Sequence, residues 1–182
     1  MSDYNGSNTP LDIRDLWQTP PEIYAGLDRE FGFTGDAAAS DRNHLHPRYL
    51  TEADDALSCD WSDAFHAGYV WCNPPYSDIT PWVEQAARSS ANGGVGVVML
   101  VPADMSVGWF RLALETVSEV RIITGGRISF VRADNLQAVN GNNKGSMLLI
   151  WNPMRRGVCL TSYVDRNELI EAGRKILQSE AA

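Results

Sequence analysis

Tyr69-Val70-Trp71-Cys72-Asn73-Pro74-Pro75-Tyr76 is the stretch from which the rest of the chain can be read. Its first four residues are apolar and β-prone, and they read as a buried strand. Pro74 and Pro75 then remove two backbone donors and fix two φ angles, so the chain leaves the strand in a stiff turn with free carbonyls. Asn73 puts an amide before that turn and Tyr76 an aromatic ring after it. The set suits a planar amino group. Its N–H groups can donate to the Asn73 side-chain oxygen and the Pro74 carbonyl, while the ring that bears it stacks on Tyr76. Stacking of this kind is worth about 1–3 kcal/mol for a nucleic-acid base. The alternative is a proline turn that only ends a strand.

Outward from this stretch, helices alternate with strands. Pro81 to Ser89 reads as a helix with Trp82, Val83, Ala86 and Ala87 on one face. Gly96-Val97-Val98-Met99-Leu100-Val101 is a continuous apolar run, the mark of a central strand covered on both faces. Trp109 to Val117 reads as a helix, and Val120–Ile123 and Ser146–Trp151 as strands. Upstream, Thr19 is an N-cap candidate, Pro20 takes the first helical position and Glu22 completes a capping box. Ile23, Leu27 and Phe31 continue that helix as one stripe, and Gly32 stops it. A short strand ends at Asp36, and residues 40–60 are irregular, with a short strand at Arg48–Thr51. Asp165 and Glu168 open a terminal helix carrying Leu169, Ile170, Ile176 and Leu177.

This alternation predicts an α/β fold, Rossmann-like, on a mixed, mostly parallel sheet. The loop Gly125–Gly145 has no helical pattern, so it permits a hairpin-like return and an antiparallel edge strand. Ligands of such sheets bind at the carboxyl ends of the strands. Asp36, Asn73 and Pro102-Ala103-Asp104 stand at such ends.

The 182 residues are 44% hydrophobic and 21% charged, enough for one domain and little more. We expect residues 1–14 to be a tail and 15–182 a single domain without a separate target-recognition domain. The apolar run Val95 to Val101 is far short of a membrane span. The start, MSDYNGSNTP, lacks the order of a signal peptide. Cys59, Cys72 and Cys159 form no CxxC pair and read as reduced thiols, so a cytoplasmic location is expected. His44-x-His46 has no third ligand at a usual spacing and stands beside Arg42 and Arg48, so no metal is expected. Lone His66 reads as structural. Acyl transfer, NTP hydrolysis and zinc proteolysis find no motif.

The net charge is −8, yet residues 120–160 hold six bases and one acid. A polyanion should dock on that segment, with Arg121, Arg127, Arg132, Lys144, Arg155 and Arg156; a merely solvated face is the other reading.

Asn73-Pro74-Pro75-Tyr76 resembles the catalytic motif of amino-group methyltransferases. A wider ordered set resembles the phage-type DNA N6-adenine methyltransferases (Dam-type). It comprises Trp17-Gln18-Thr19-Pro20-Pro21, Phe31-Gly32-Phe33 leading to Asp36-Ala37-Ala38-Ala39-Ser40, and Asp54-Asp55-Ala56-Leu57 leading to Asp60-Trp61. After Val70–Ser77 it continues with Leu100–Asp104, Gly126-Arg127-Ile128-Ser129-Phe130 and Gly145–Trp151. The resemblance implies methyl transfer from S-adenosylmethionine to adenine N6 in DNA, with Asn73, Pro74, Pro75 and Tyr76 catalytic. It implies cofactor contacts from Trp17, Thr19, Pro20, Asp36, Ala37, Asp55 and Asn73, with Asp54 as the rival of Asp55. It puts Ser77, Arg127, Phe130, Arg132 and Lys144 on the DNA side, Phe130 either as core or as a wall for the base. A phage origin, with protection against restriction as one use, goes with it. RNA adenine, a protein glutamine amide, and DNA binding without catalysis are the alternatives for the same turn.

Overall fold

Alternate residues of the central strands face opposite layers of the core. Val97, Met99 and Val101 point to one side, where Trp61, Phe65, Val83 and Phe110 pack; Val98 and Leu100 point to the other, with Ile23, Leu27, Phe130 and Leu169. This is the period-two signature of a strand buried on both faces. The computed structural model describes residues 15, 17–132, 137–138, 144–155 and 159–181. The expected tail 1–14 and Arg156 lie outside the described residues.

The elements in order are β1 (Trp17–Gln18), α1 (Pro21–Phe31), β2 (Phe33–Asp36), a 3-10 turn (Glu52–Asp54), α2 (Trp61–Ala64), β3 (Tyr69–Cys72), α3 (Thr80–Gly93) and β4 (Gly96–Pro102). They continue with α4 (Gly108–Ala113), β5 (Glu119–Thr124), β6 (Val131–Arg132), β7 (Ser146–Trp151), β8 (Leu160–Asp165) and α5 (Arg166–Glu180). Six strands form one sheet in the order β2-β3-β4-β7-β5-β8. The pairs β2–β3, β3–β4 and β5–β8 are parallel, while β7 runs antiparallel to both neighbours. The sheet is thus mixed and mostly parallel, the expected Rossmann-like α/β class. The antiparallel strand lies inside the sheet, between β4 and β5. The edge beyond β5 is taken by β8, which is only partly buried and carries no continuous apolar run.

Helices α2, α3 and α4 cover one face, and α1 and α5 the other. On the second face α1 and α5 approach closely. A Cβ added to Gly173 would stand 1.8 Å from the Glu22 carbonyl oxygen, and one on Gly26 would stand 2.6 Å from that of Leu169. A separate antiparallel pair, β1 with β6, sets Trp17 opposite Arg132 and Gln18 opposite Val131. The short strand expected at Arg48–Thr51 is a single parallel bridge, Tyr49 to Asp36. The α1 cap differs from its sequence reading. Pro20, not Thr19, occupies the cap with no side-chain bond, and helix geometry starts at Pro21. Thr19 is turned into the interior, and Glu22 pairs with Arg174 at 3.7 Å rather than closing a capping box. Gly32 ends α1 in the left-handed region as expected, its N–H donating to the Asp28 carbonyl. Among the described residues no helix is long and apolar enough to cross a membrane.

Candidate active site

The strand β3 ends at Cys72, and the Asn73–Tyr76 turn leaves from there, at the carboxyl end of the sheet. Asn73 Nδ2 donates to the Trp17 carbonyl at 3.1 Å. A carbonyl only accepts, so this contact aims the other end of the amide, Oδ1, away from Trp17. Oδ1 is buried and has no hydrogen-bond partner within the protein. Tyr76 is half-buried; its hydroxyl donates to the Leu100 carbonyl at 3.4 Å, and burial pushes the phenol above its ordinary range. Its ring meets Phe130 edge to face at 6.0 Å, and Phe130 stacks on Trp17 at 6.1 Å. Phe130 is 1% exposed, so it backs the Tyr76 ring from within the core.

Buried polar side chains without partners are rare in folded proteins. Among the described residues there are six such atoms: Trp17 Nε1, Gln18 Nε2, Thr19 Oγ1, Tyr24 OH, Asn73 Oδ1 and Ser146 Oγ. Trp17, Gln18 and Thr19 immediately precede α1, and Tyr24 is in its first turn. Asn73 follows β3, and Ser146 pairs in register with Pro102, the last residue of β4. The orphans therefore gather at the end of the sheet where an α/β protein binds its ligand. Tyr24 and Ser146 escaped the sequence reading, because only burial distinguishes them from ordinary core and strand residues.

Asp36 ends β2 and is 3% exposed. Its carboxylate accepts N–H bonds from Leu45 at 3.1 Å and Ala38 at 3.3 Å, which fold the 37–50 segment around it. Burial outweighs those bonds and raises its pKa to about 6. A carboxylate has about four acceptor positions, so two bonds leave capacity for a cationic ligand. Ala37 is fully buried, with its N–H on the Trp71 carbonyl. Asp54 closes a capping box with Thr51, and those hydrogen bonds lower its pKa. Asp55 is exposed with φ 51°, its carboxylate accepting the Ser58 hydroxyl at 2.7 Å. The two acids share one turn, apart from the contacts that join Trp17, Asn73, Tyr76 and Phe130.

Ser77, beyond the prolines, donates its N–H to the Asp15 carboxylate at 3.0 Å. Arg127 lines a groove of about 610 Å³ with Pro20, Ser129, Arg166 and Arg174, and Glu22 and Glu171 also face it. Arg132 lies in β6. Lys144 is ion-paired to Asp104, and that pairing, with Ser106, holds the Asp104 carboxyl down at about 2. Arg121 is engaged by Glu30 and Glu119 and lies over the Phe31 ring. The basic segment is therefore not one patch: Arg121 belongs to a charge cluster with Glu30, Glu119 and Arg155 around a cavity of about 210 Å³ at the amino ends of β3 and β5. His44 stacks on Tyr49, and His44 and His46 each bond to nearby backbone.

A mixed Rossmann-like sheet with an Asn-Pro-Pro-Tyr turn at a strand end defines the class of amino-group methyltransferases. Comparison with known proteins carries this further. The profile of the DNA N-6-adenine-methyltransferase (Dam) family matches residues 6–176, and the chain belongs to that family. Among its relatives is the DNA N-6-adenine-methyltransferase of Escherichia phage T1, 34% identical over 177 residues, or 88% of this chain and 73% of the relative. Another is the DNA N-6-adenine-methyltransferase of Haemophilus phage HP1 (strain HP1c1), 32% identical over 170 residues, 92% of this chain and 96% of the relative.

Proposed function

We propose that this chain methylates adenine N6 in DNA, with S-adenosylmethionine as the methyl donor. The observation that carries the reading is the Asn73 amide: its oxygen is buried, partnerless and oriented by the Trp17 carbonyl. The cluster of orphaned polar atoms and the buried Asp36 fit the cofactor's mixed demand for donors and acceptors. Asp36 would take the ammonium, and Trp17 and Thr19 would line the same site. S-adenosylmethionine supplies, when bound, a methyl group on a sulfonium, already an excellent leaving group.

The chain's own work is then positional. The exocyclic amine of adenine is a poor nucleophile because its lone pair is delocalised into the ring. Asn73 Oδ1 and the Pro74 carbonyl accept its two N–H groups and favour a nitrogen whose lone pair is directed outward. Tyr76 holds the ring by stacking, with Phe130 fixing the Tyr76 ring from behind. The adenine must leave the duplex stack to reach these groups. Orientation of this kind is a large part of what such a reaction needs. The N–CH3 bond forms as the S–CH3 bond breaks, and the proton then shed by the methylated nitrogen passes to water at the mouth of the site, with no covalent enzyme intermediate. Arg127, in its groove with Arg166 and Arg174, serves the DNA backbone. Residues 15–182 act as one catalytic domain, which suits a short or relaxed recognition sequence.

Incubation of the chain with labelled S-adenosylmethionine and DNA, RNA or glutamine-containing peptide tests the reading. The expected product is N6-methyladenine in DNA. Label confined to RNA or peptide, or none at all, would overturn it.

A further inference from the structure

We propose that Asp15 is a positioning residue for the methyl-transfer site, clamping the Asn73–Ser77 loop so that the Asn73 amide oxygen faces the target amine. The inference rests on the activity proposed above and deepens it.

Among the described residues two hydrogen bonds cross from the segment before α1 to this loop. At the loop's start Asn73 Nδ2 donates to the Trp17 carbonyl, and at its end the Ser77 N–H donates to Asp15 Oδ1. The partners are 56 and 62 residues apart in sequence, so neither contact is a local turn. Between the tied ends stand Pro74 and Pro75, which have no N–H and keep the intervening chain stiff. A stiff segment held at both ends moves as a unit. Releasing one end lets the other rotate, and the group with most to lose is the Asn73 amide, whose correct face depends on staying opposite one carbonyl. The Trp17 end has independent support from its pairing with Arg132 and its stacking on Phe130. The Ser77 end has Asp15, ahead of the core anchor that Ile79, 4% exposed, provides at the start of α3; Asp15 therefore sets the loop between that anchor and Asn73. Its carboxylate meets the loop beyond Tyr76, so it acts through Asn73 and Tyr76, not on the reacting atoms.

The test is steady-state kinetics on DNA with Asp15→Ala and Asp15→Asn in the full chain. The amide of Asp15→Asn keeps an oxygen that accepts the Ser77 N–H. Asp15→Ala should lower kcat about tenfold, with the KM for DNA and the S-adenosylhomocysteine dissociation constant each within about twofold of the parent. Asp15→Asn should recover most of that loss. A merely structural residue would instead lower the melting temperature and weaken both ligands together. Should Asp15→Ala fail to fold, Asp15→Asn and Asp15→Glu supply the comparison, the longer acid giving the lower kcat at equal ligand affinity. Parent-like kcat in Asp15→Ala, or a loss seen equally in cofactor affinity, overturns the proposal. An inactive parent would instead sink the underlying activity, and the two failures are distinguished by that control.

Discussion

Asp36 is a carboxylate that its surroundings make reluctant to ionise. Its pKa near 6 stands above the ordinary 3.8, with burial as the main cause. The folded, cofactor-free chain therefore holds an extra proton between those values, and this group's contribution to stability falls as pH rises through that window. A shift of this size corresponds to about 3 kcal/mol. An ammonium placed on Asp36 would reverse the preference. Cofactor binding should then tighten as pH rises from 5 to 7.5, with a proton released on binding near pH 6, as calorimetry in buffers of different ionisation heat would read. Asp36→Asn should raise the melting temperature of the free chain at pH 8 and weaken S-adenosylhomocysteine at least tenfold. Parent-like binding and pH profile in that variant would remove the cation role. The neighbouring case is Asn73. Asn73→Asp keeps an acceptor for the amine but sets a second carboxylate oxygen against the Trp17 carbonyl, where Nδ2 had donated. Turnover should fall about 100-fold, in line with the loss of an oriented hydrogen bond at a reacting group; unchanged turnover would mean that the carbonyl does not choose the amide.

At the scale of elements, α1 and α5 are pinned by glycines. Gly173 lies against the Glu22 backbone and leaves no space for a methyl group. Gly173→Ala should destabilise the fold by about 1–3 kcal/mol, the usual cost of overpacking, as a shift in the denaturation midpoint. Because Trp17–Thr19 lead directly into α1, cofactor affinity should fall in the same variant. The elements legible in the sequence were those whose signal is local. The apolar runs of β3, β4 and β7 announced buried strands, and the Ile23, Leu27, Phe31 stripe announced α1. The start of α1 was misread because Thr19 has the right chemistry for a cap, while Pro20-Pro21 moves the helix start past it and burial claims its side chain. β8 escaped because Leu160–Asp165 is an edge strand with most of its surface outward. The pair β1–β6 was not legible, since two residues make no period and their pairing is set by tertiary contacts. The Asn73–Tyr76 turn could be read because its chemistry lies in residue type and order. Tyr24, Ser146 and Asp15 could not, since what marks each of them is a contact or the lack of one.

Over the whole molecule, charge is sorted differently from the sequence expectation. Arg121 is neutralised by Glu30 and Glu119 at the amino ends of the strands; Arg127, Arg166 and Arg174, with Glu22 and Glu171 among them and Glu22 paired to Arg174, line a groove beside the start of α1, at the carboxyl end. Each phosphate contact contributes about −0.9 to the log–log slope of affinity against salt on duplex DNA. Replacing Arg127 by Gln should make the slope shallower by about one contact, and Arg121→Gln should leave it as in the parent. The opposite ranking would put the DNA at the other end of the sheet. Among the described residues the six orphaned polar side-chain atoms gather at the groove's end of the sheet, which is the end suited to ligands.

The proposed acceptor of the target amine is the Asn73 oxygen. The most direct measurement is single-turnover methyl transfer to DNA by Asn73→Ala, with S-adenosylhomocysteine affinity determined on the same preparation. Loss of an acceptor of this kind costs about 2.7–4 kcal/mol of transition-state stabilisation, a 100- to 1,000-fold slower step. We predict that loss with cofactor affinity within a few-fold of the parent. Transfer at the parent's rate would mean that another group holds the amine.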